Sequence, residues 1–264
     1  MNRLLVLSFL IFAGCSTKNK QVTFSLNKFE LPVVMQAGKT DTAEPYDVQC
    51  IQDFYPRLIG QYKFGDTIDF NGGREKRNIT EAQYLWEVRG VYDNDSLSSD
   101  GLQIVPDYSK YLAFNKWYDS SKKFLYYPVY VVNETFQPKI FYGKDSHGFG
   151  IQEAIDTGDY SLWHPIEAKG ADFCGNGTFR RKINPGEFLV FLFPKYAGKE
   201  NTYLHIRFQI GENVFISKSF MGTINRSQFS IEKKSWVYNR LKDSKGLASN
   251  WLFCGGVLNE KNRY

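Results

Sequence analysis

The sequence predicts an all-β protein, an antiparallel β-sandwich of immunoglobulin-like style with short helices at most. Aromatic residues make up 17% of the 264 residues, and aromatic and β-branched residues favour strands. In the second half of the chain, segments of strand character recur about every 8 to 12 residues. Gly, Asn and Pro separate these segments, as expected for tight turns. Together, the three observations are typical of a sandwich.

The first half of the chain holds scattered strand signals. Val22, Phe24 and Leu26 alternate with polar residues, which is the period of a half-buried strand. A turn is predicted at Gly65, and a loop over 37–45, where breaker residues cluster. The predicted strands in this half are 22–26, 59–64, 67–70 and 101–106.

The second half predicts a regular series of strands. The run 188–193 is apolar on both faces, which predicts a central strand buried between two layers. In 202–210 the even positions form one apolar face, and His205 falls on the polar face, so we expect it to be half-exposed. Pro128 predicts an edge, a bulge or the start of a strand. The predicted strands are 124–133, 139–142, 149–155, 162–168, 178–183, 187–193, 202–210 and 214–221.

The amino terminus has the three parts of an export signal. Arg3 gives a positive start, Leu4–Phe12 is apolar, and small residues precede Cys15. A membrane-spanning helix needs about 20 apolar residues, which this run does not reach. We therefore expect the segment to be cleaved.

The residues Phe12-Ala13-Gly14-Cys15 resemble the lipobox of bacterial lipoproteins, although Phe12 stands where Leu is usual. The resemblance implies that Cys15 receives diacylglycerol and that the mature chain is held on a membrane of the cell envelope, facing the periplasm or displayed at the surface. Several acyl chains anchor a protein firmly, where one holds it reversibly. An ordinary secretory signal, with Cys15 incidental, is the alternative.

The sequence divides into five regions in this interpretation. The last of them, after residue 232, is a polar tail with a short helix expected near Ser227 to Lys234. The regions are 1–14, the signal peptide; 15–21, a lipidated tether; 22–118, an N-terminal β-rich region; 119–232, the β-sandwich region; and 233–264, the C-terminal tail.

Charge and metal-ligand spacing argue against several classes of partner. The formal net charge is +5, with Lys and Arg scattered among Asp and Glu, whereas nucleic-acid binding requires a concentrated basic stripe. No Cys-x-x-Cys pair occurs, and His147, His164 and His205 are far apart. No phosphate-binding or dinucleotide-binding motif is present. We therefore expect no nucleic acid, metal or cofactor.

Three cysteines follow Cys15, so at most one intramolecular disulfide forms among them. Of the three pairings, Cys174 with Cys254 is favoured, because it would tie the polar tail to the domain. A buried free thiol is the alternative for each cysteine.

The chain carries no catalytic motif of useful specificity. Four carboxylates fall in one region that contains glycines: Glu153, Asp156, Asp159 and Glu167. They could form a catalytic acid/base pair, but we interpret them as solvated loop charges. A nucleophilic Cys174 with His164 or His205 as base is less favoured than a disulfide or buried thiol in an exported chain. The sequence thus favours a non-enzymatic protein.

Aromatic residues offer the more interesting binding hypothesis. Trp117, Tyr118, Tyr160 and Trp163 could present flat faces to a sugar ring or to a partner side chain, because Tyr and Trp combine apolar rings with polar tips. Packing in the core is the alternative.

Five short segments of the second half carry a resemblance to known proteins: Tyr127–Asn133, Gln152–Ala154, Trp163–Glu167, Cys174–Gly177 and Pro185–Glu187. This part of the chain resembles uncharacterised lipoproteins and exported proteins of certain Gram-negative bacteria. The resemblance implies no activity and no functional residue. The leading hypothesis is a membrane-anchored binding or interaction module that meets a protein or glycan of the envelope. The alternatives are an extracytoplasmic hydrolase and a protease-inhibitor-like sandwich.

Overall fold

The chain is mostly strand in its computed structural model, which describes residues 28–35, 42–70, 97–116, 119–156, 162–170 and 177–259. The predicted all-β class is confirmed. The strands are β1 Val34–Met35, β2 Gln52–Phe54, β3 Arg57–Lys63, β4 Ile68–Asp69, β5 Gln103–Pro106, β6 Leu112–Lys116, β7 Asp119–Val132, β8 Lys139–Lys144, β9 Phe149–Ile155, β10 Trp163–Pro165, β11 Glu167–Lys169, β12 Thr178–Ile183, β13 Glu187–Pro194, β14 Glu200–Ile210, β15 Asn213–Ile216 and β16 Phe220–Ile224.

Two five-stranded sheets face each other in a sandwich-like arrangement. The first runs β3-β13-β7-β5, with β6 also paired to β7, and the second runs β10-β9-β14-β15, with β16 also paired to β14. Between them, Val131 of β7 and Phe191 of β13 lie in one buried cluster with Phe208 of β14. The even positions of β14 thus line the core, as the alternation predicts.

Strand β13 is buried on both faces, as the apolar run predicts. Phe191 and Phe193 pack toward the second sheet, whereas Phe188 and Val190 pack toward β1, β4 and the segment before β1. Its hydrogen-bonding edges are also occupied, because β13 lies between β3 and β7. The first sheet is therefore the middle layer of the molecule.

Pro128 lies inside the long strand β7 and does not start it. Its carbonyl accepts a hydrogen bond from the backbone N–H of Asp107 at 2.9 Å. Along this edge of β7, β6 pairs with residues 119–126 and β5 pairs with residues 129–132. The missing N–H of proline therefore falls where the neighbouring strand changes, so no ladder hydrogen bond is lost.

Strand boundaries and directions differ from the prediction in several places. The predicted strand 162–168 is divided at Ile166 into β10 and β11, and the predicted strand 214–221 is divided into β15 and β16. Two small pairs are parallel, β1 with β4 and β2 with β11. Each parallel strand is only two or three residues long, too short for periodicity to reveal.

The C-terminal region forms two helices that cover the second sheet, α1 Trp236–Asp243 and α2 Ser249–Leu252, after a 3-10 helix, Arg226–Phe229. Ser235 caps α1 by accepting a hydrogen bond from the N–H of Tyr238 at 3.1 Å. Val237 and Leu241, one turn apart, are buried against a cluster that includes Ile151 of β9. Among the residues that the structure describes, the helices are all too short or too polar to traverse a lipid bilayer.

Candidate functional site

A cavity of about 540 Å³ opens beside the short parallel pair β2 and β11. This volume lies within the usual range of small-molecule sites, about 300–1,000 Å³. Aromatic, basic and acidic side chains share its wall. The described residues that line it are Tyr46, Val48, Gln52, Asp53, Phe54, Tyr55, Arg57, Phe114, Asn115, Tyr126, Lys144, Asp145, His147, Gly148, Phe149, Lys169, Gly170, Leu192, Pro194 and Tyr196.

Three of the four tyrosines that line the cavity, Tyr46, Tyr126 and Tyr196, lie together in one part of its wall. The backbone of Tyr46 is fixed beside Tyr196, because its N–H donates to the carbonyl of Lys195 and its carbonyl accepts from the N–H of Ala197, both at 2.8 Å. The hydroxyl groups of Tyr46 and Tyr126 share a hydrogen bond. Burial raises the pKa of all three phenols above its ordinary value, so they stay protonated as hydrogen-bond donors.

Glu167 lies behind Tyr196 and is fully buried. Its carboxylate accepts the Tyr196 hydroxyl at 2.6 Å and two donors of Gln152, the backbone N–H at 2.7 Å and the side-chain amide at 2.8 Å. Burial raises the pKa of Glu167 from 4.5 to about 7, although these donors oppose the shift. The interpretation of Glu167 as a solvated loop charge is therefore wrong.

Basic residues outnumber acidic ones among the cavity-lining side chains. Arg57, Lys144 and Lys169 are present against Asp53 and Asp145. His147 is also buried, and burial lowers its pKa, which favours the neutral imidazole. The charged side chains that line the cavity therefore sum to a net positive charge.

Lys169 is held between two aromatic rings. Its ammonium nitrogen lies 4.0 Å from the centroid of Phe149 and 4.5 Å from that of Trp251. Such cation–π contacts favour a positive charge over the ring face. The side chain is only 7% exposed, and burial lowers its pKa.

A second buried polar cluster lies on the outer face of the second sheet. Glu153 Oε2 is 2.6 Å from His205 Nε2 and 2.9 Å from Arg207 Nε. The Trp163 ring stacks on His205 with centroids 3.8 Å apart. The prediction of a half-exposed His205 is wrong, because the residue is 5% exposed. The Trp163 ring covers it, and its partner Glu153 lies under the C-terminal segment near Gly256.

Glu153 and Asp156 are not solvated loop charges either. Glu153 is fully buried, and Asp156 accepts hydrogen bonds from Arg226 at 2.9 Å and Asn259 at 2.8 Å. The fourth predicted loop carboxylate, Asp159, lies outside the described residues. Buried charges require partners, and these carboxylates find them in residues distant in sequence.

Most of the site residues named from the sequence lie outside the described residues: Cys15, Trp117, Tyr118, Tyr160 and Cys174. Trp163 is half-buried against His205, and the aromatic surface stays a prediction. Cys254 is buried, and burial raises the pKa of its thiol to about 12; because Cys174 lies outside the described residues, the disulfide between them stays a prediction. In the described ranges no cysteine donates a hydrogen bond to a histidine, and no group of three His, Cys, Asp or Glu could hold a metal ion.

Sequence reasoning missed the residues of the cavity. Tyr46 and Tyr126 are 80 positions apart, and Lys169 ends a three-residue strand, so no local spacing connects them. The one signal was the high aromatic content. Comparison of the chain with protein-family models, with curated proteins and with solved structures finds no match.

Proposed function

We propose that this protein is a non-enzymatic binding module of the bacterial cell envelope, anchored through Cys15, and that its cavity binds a small polar molecule whose ring has an apolar face, such as a saccharide. The observation that carries the proposal is the cavity of about 540 Å³ with tyrosine hydroxyls and basic groups in one wall. Small-molecule sites combine an apolar, aromatic lining with a few convergent polar groups.

The aromatic lining fits a ring-shaped ligand. Phe54, Phe114 and Phe149 contribute apolar faces, on which the C–H face of a sugar packs as an aliphatic surface. The hydrogen-bonded hydroxyl groups of Tyr46 and Tyr126 are of the kind that bind sugar hydroxyls. The sequence predicted aromatic recognition at other residues, and the cavity offers a second location for the same chemistry.

Binding is favoured over catalysis by how Glu167 is held. Its carboxylate already accepts hydrogen bonds from Tyr196 and Gln152, and it is fully buried. A general acid or base must be within hydrogen-bond reach of its substrate. We interpret Glu167 as the group that orients the Tyr196 hydroxyl.

A saccharide array tests the proposal. The full chain in detergent is compared with Val48→Trp, which places a large ring in the cavity, and with Val214→Trp, a matched change at an exposed position of β15. We expect the wild type and Val214→Trp to bind the same saccharides and Val48→Trp to lose them. An empty array, or equal binding by all three proteins, would reject the proposal.

A further inference from the structure

Lys169 is a buried cation that has no anionic partner in the described part of the chain. It is 7% exposed and lines the cavity. Its contacts are the faces of Phe149 and Trp251, and among the described residues it forms no ion pair and no side-chain hydrogen bond. A buried ammonium group ordinarily has a carboxylate or several hydrogen-bond acceptors around it.

The two rings compensate only part of the cost of burying this charge. A cation–π contact stabilises the ammonium group less than its removal from water destabilises it. An ammonium group also has three N–H donors, and ring faces are weak acceptors for them. Because Lys169 lines the cavity, its N–H donors are available to an acceptor that enters the cavity.

Asp53 and Asp145 line the same cavity, but in the described part of the chain neither forms an ion pair with Lys169. Lys144 also lines the cavity, and its like charge, with burial as the larger cause, lowers the pKa of Lys169. The Cys254 thiol faces Lys169 from the segment after α2, and its pKa of about 12 keeps it neutral. The like charge of Lys144 in the same wall and the neutral thiol behind Lys169 therefore favour an anionic group on the ligand itself.

We infer that Lys169 is the anion-binding residue of the cavity and that the ligand is an acidic saccharide, whose carboxylate pairs with the Lys169 ammonium group. This inference rests on the proposed function and specifies the ligand class of the same site. The charge-assisted hydrogen bond would supply the missing acceptor. The pairing would also favour the protonated amine, so affinity for the acid falls as pH rises through the pKa of Lys169.

The test uses matched pairs of saccharides, each an acidic sugar such as D-glucuronate with its carboxyl-reduced counterpart, D-glucose. The full chain is compared with Lys169→Met and with Lys218→Met, which removes an exposed lysine from the connection between β15 and β16. We expect the wild type and Lys218→Met to prefer the acidic member by at least about tenfold, and Lys169→Met to lose that preference.

The outcomes separate this inference from the proposed function. Equal affinity for both members of each pair in the wild type would overturn the anion site while leaving saccharide binding intact. Preference for the acid that persists in Lys169→Met would place the anion elsewhere and also overturn it. Binding of no saccharide would reject both. Unfolding of Lys169→Met by heat, compared with wild type, verifies that the variant is folded.

Discussion

The ammonium nitrogen of Lys169 lies 4.0 Å from the centroid of the Phe149 ring, at the point where β11 and β9 meet the cavity. Trp251 of α2 covers the same nitrogen at 4.5 Å. The cation thus connects the second sheet, the C-terminal helices and the cavity wall. Burial of the Lys169 charge destabilises the fold, and we infer that its role is to bind a ligand.

Replacement of Lys169 by Met is expected to raise stability. Methionine keeps the length and the contacts with both rings and removes the buried charge, so the free energy of unfolding should rise by about 1 kcal/mol. Urea denaturation of wild type and Lys169→Met measures the change, with Lys218→Met as the control that should be neutral. A loss of stability in Lys169→Met would show that the charge supports the fold.

Glu167 makes stability depend on pH. Its pKa is about 7 in the folded protein, against the ordinary value of 4.5, so the folded state retains a proton that the unfolded state releases. Its contribution is complete below about pH 4.5 and is lost as the pH rises to about 7, a change of about 3 kcal/mol. Glu167→Gln should flatten the stability profile in this window, and exposed Glu212→Gln should leave it unchanged. A wild-type profile that is flat from the start contradicts the assignment.

Substitution of His205 by Ala should destabilise the fold by about 3 kcal/mol, because it removes one partner of the buried Glu153 carboxylate. Tyr203→Ala is the matched control on the same face of β14, where the side chain is 50% exposed, and should cost far less. Thermal unfolding compares the two. Equal losses would mean that the Glu153 contact contributes little.

The lipid anchor is tested at Cys15. Cells that express the full chain are grown with a clickable palmitate analogue, and we expect the wild type to be labelled and to sediment with membranes. Cys15→Ala should lose both properties, because several acyl chains provide the anchoring energy. Unchanged labelling of Cys15→Ala is the result that rejects the lipoprotein proposal.

The sequence predicted the strands of the second half well because alternation and burial are local signals there. Strand β12 coincides with its predicted range, and β13 has both buried faces that its apolar run implies. Helix α1 was missed, since its buried residues are few and the region has a polar composition. The short strands β2 and β11 form hydrogen bonds with each other, and this pairing leaves no pattern in the sequence of either strand.

The site could not be predicted because its residues meet only through the fold. The polar residues beside His205 predict a solvent-exposed strand face. In the structure that face is covered, and Glu153, 52 positions earlier, is the buried partner of His205. The sequence around Glu167 contains charged residues and glycines, which is typical of a loop. In the structure Glu167 lies in a paired strand and is buried beside Tyr196. Sequence spacing records neither the layer that covers a sheet nor the distant group that pairs with a charge.

A crystal structure of the protein with its strongest-binding acidic saccharide tests the central claim most directly. We expect the sugar ring within the cavity against the aromatic wall, with a carboxylate oxygen within hydrogen-bond distance of the Lys169 ammonium nitrogen, about 2.7–2.9 Å. A saccharide bound on the outer surface, with the cavity between Tyr46 and Lys169 holding only water, would contradict the account.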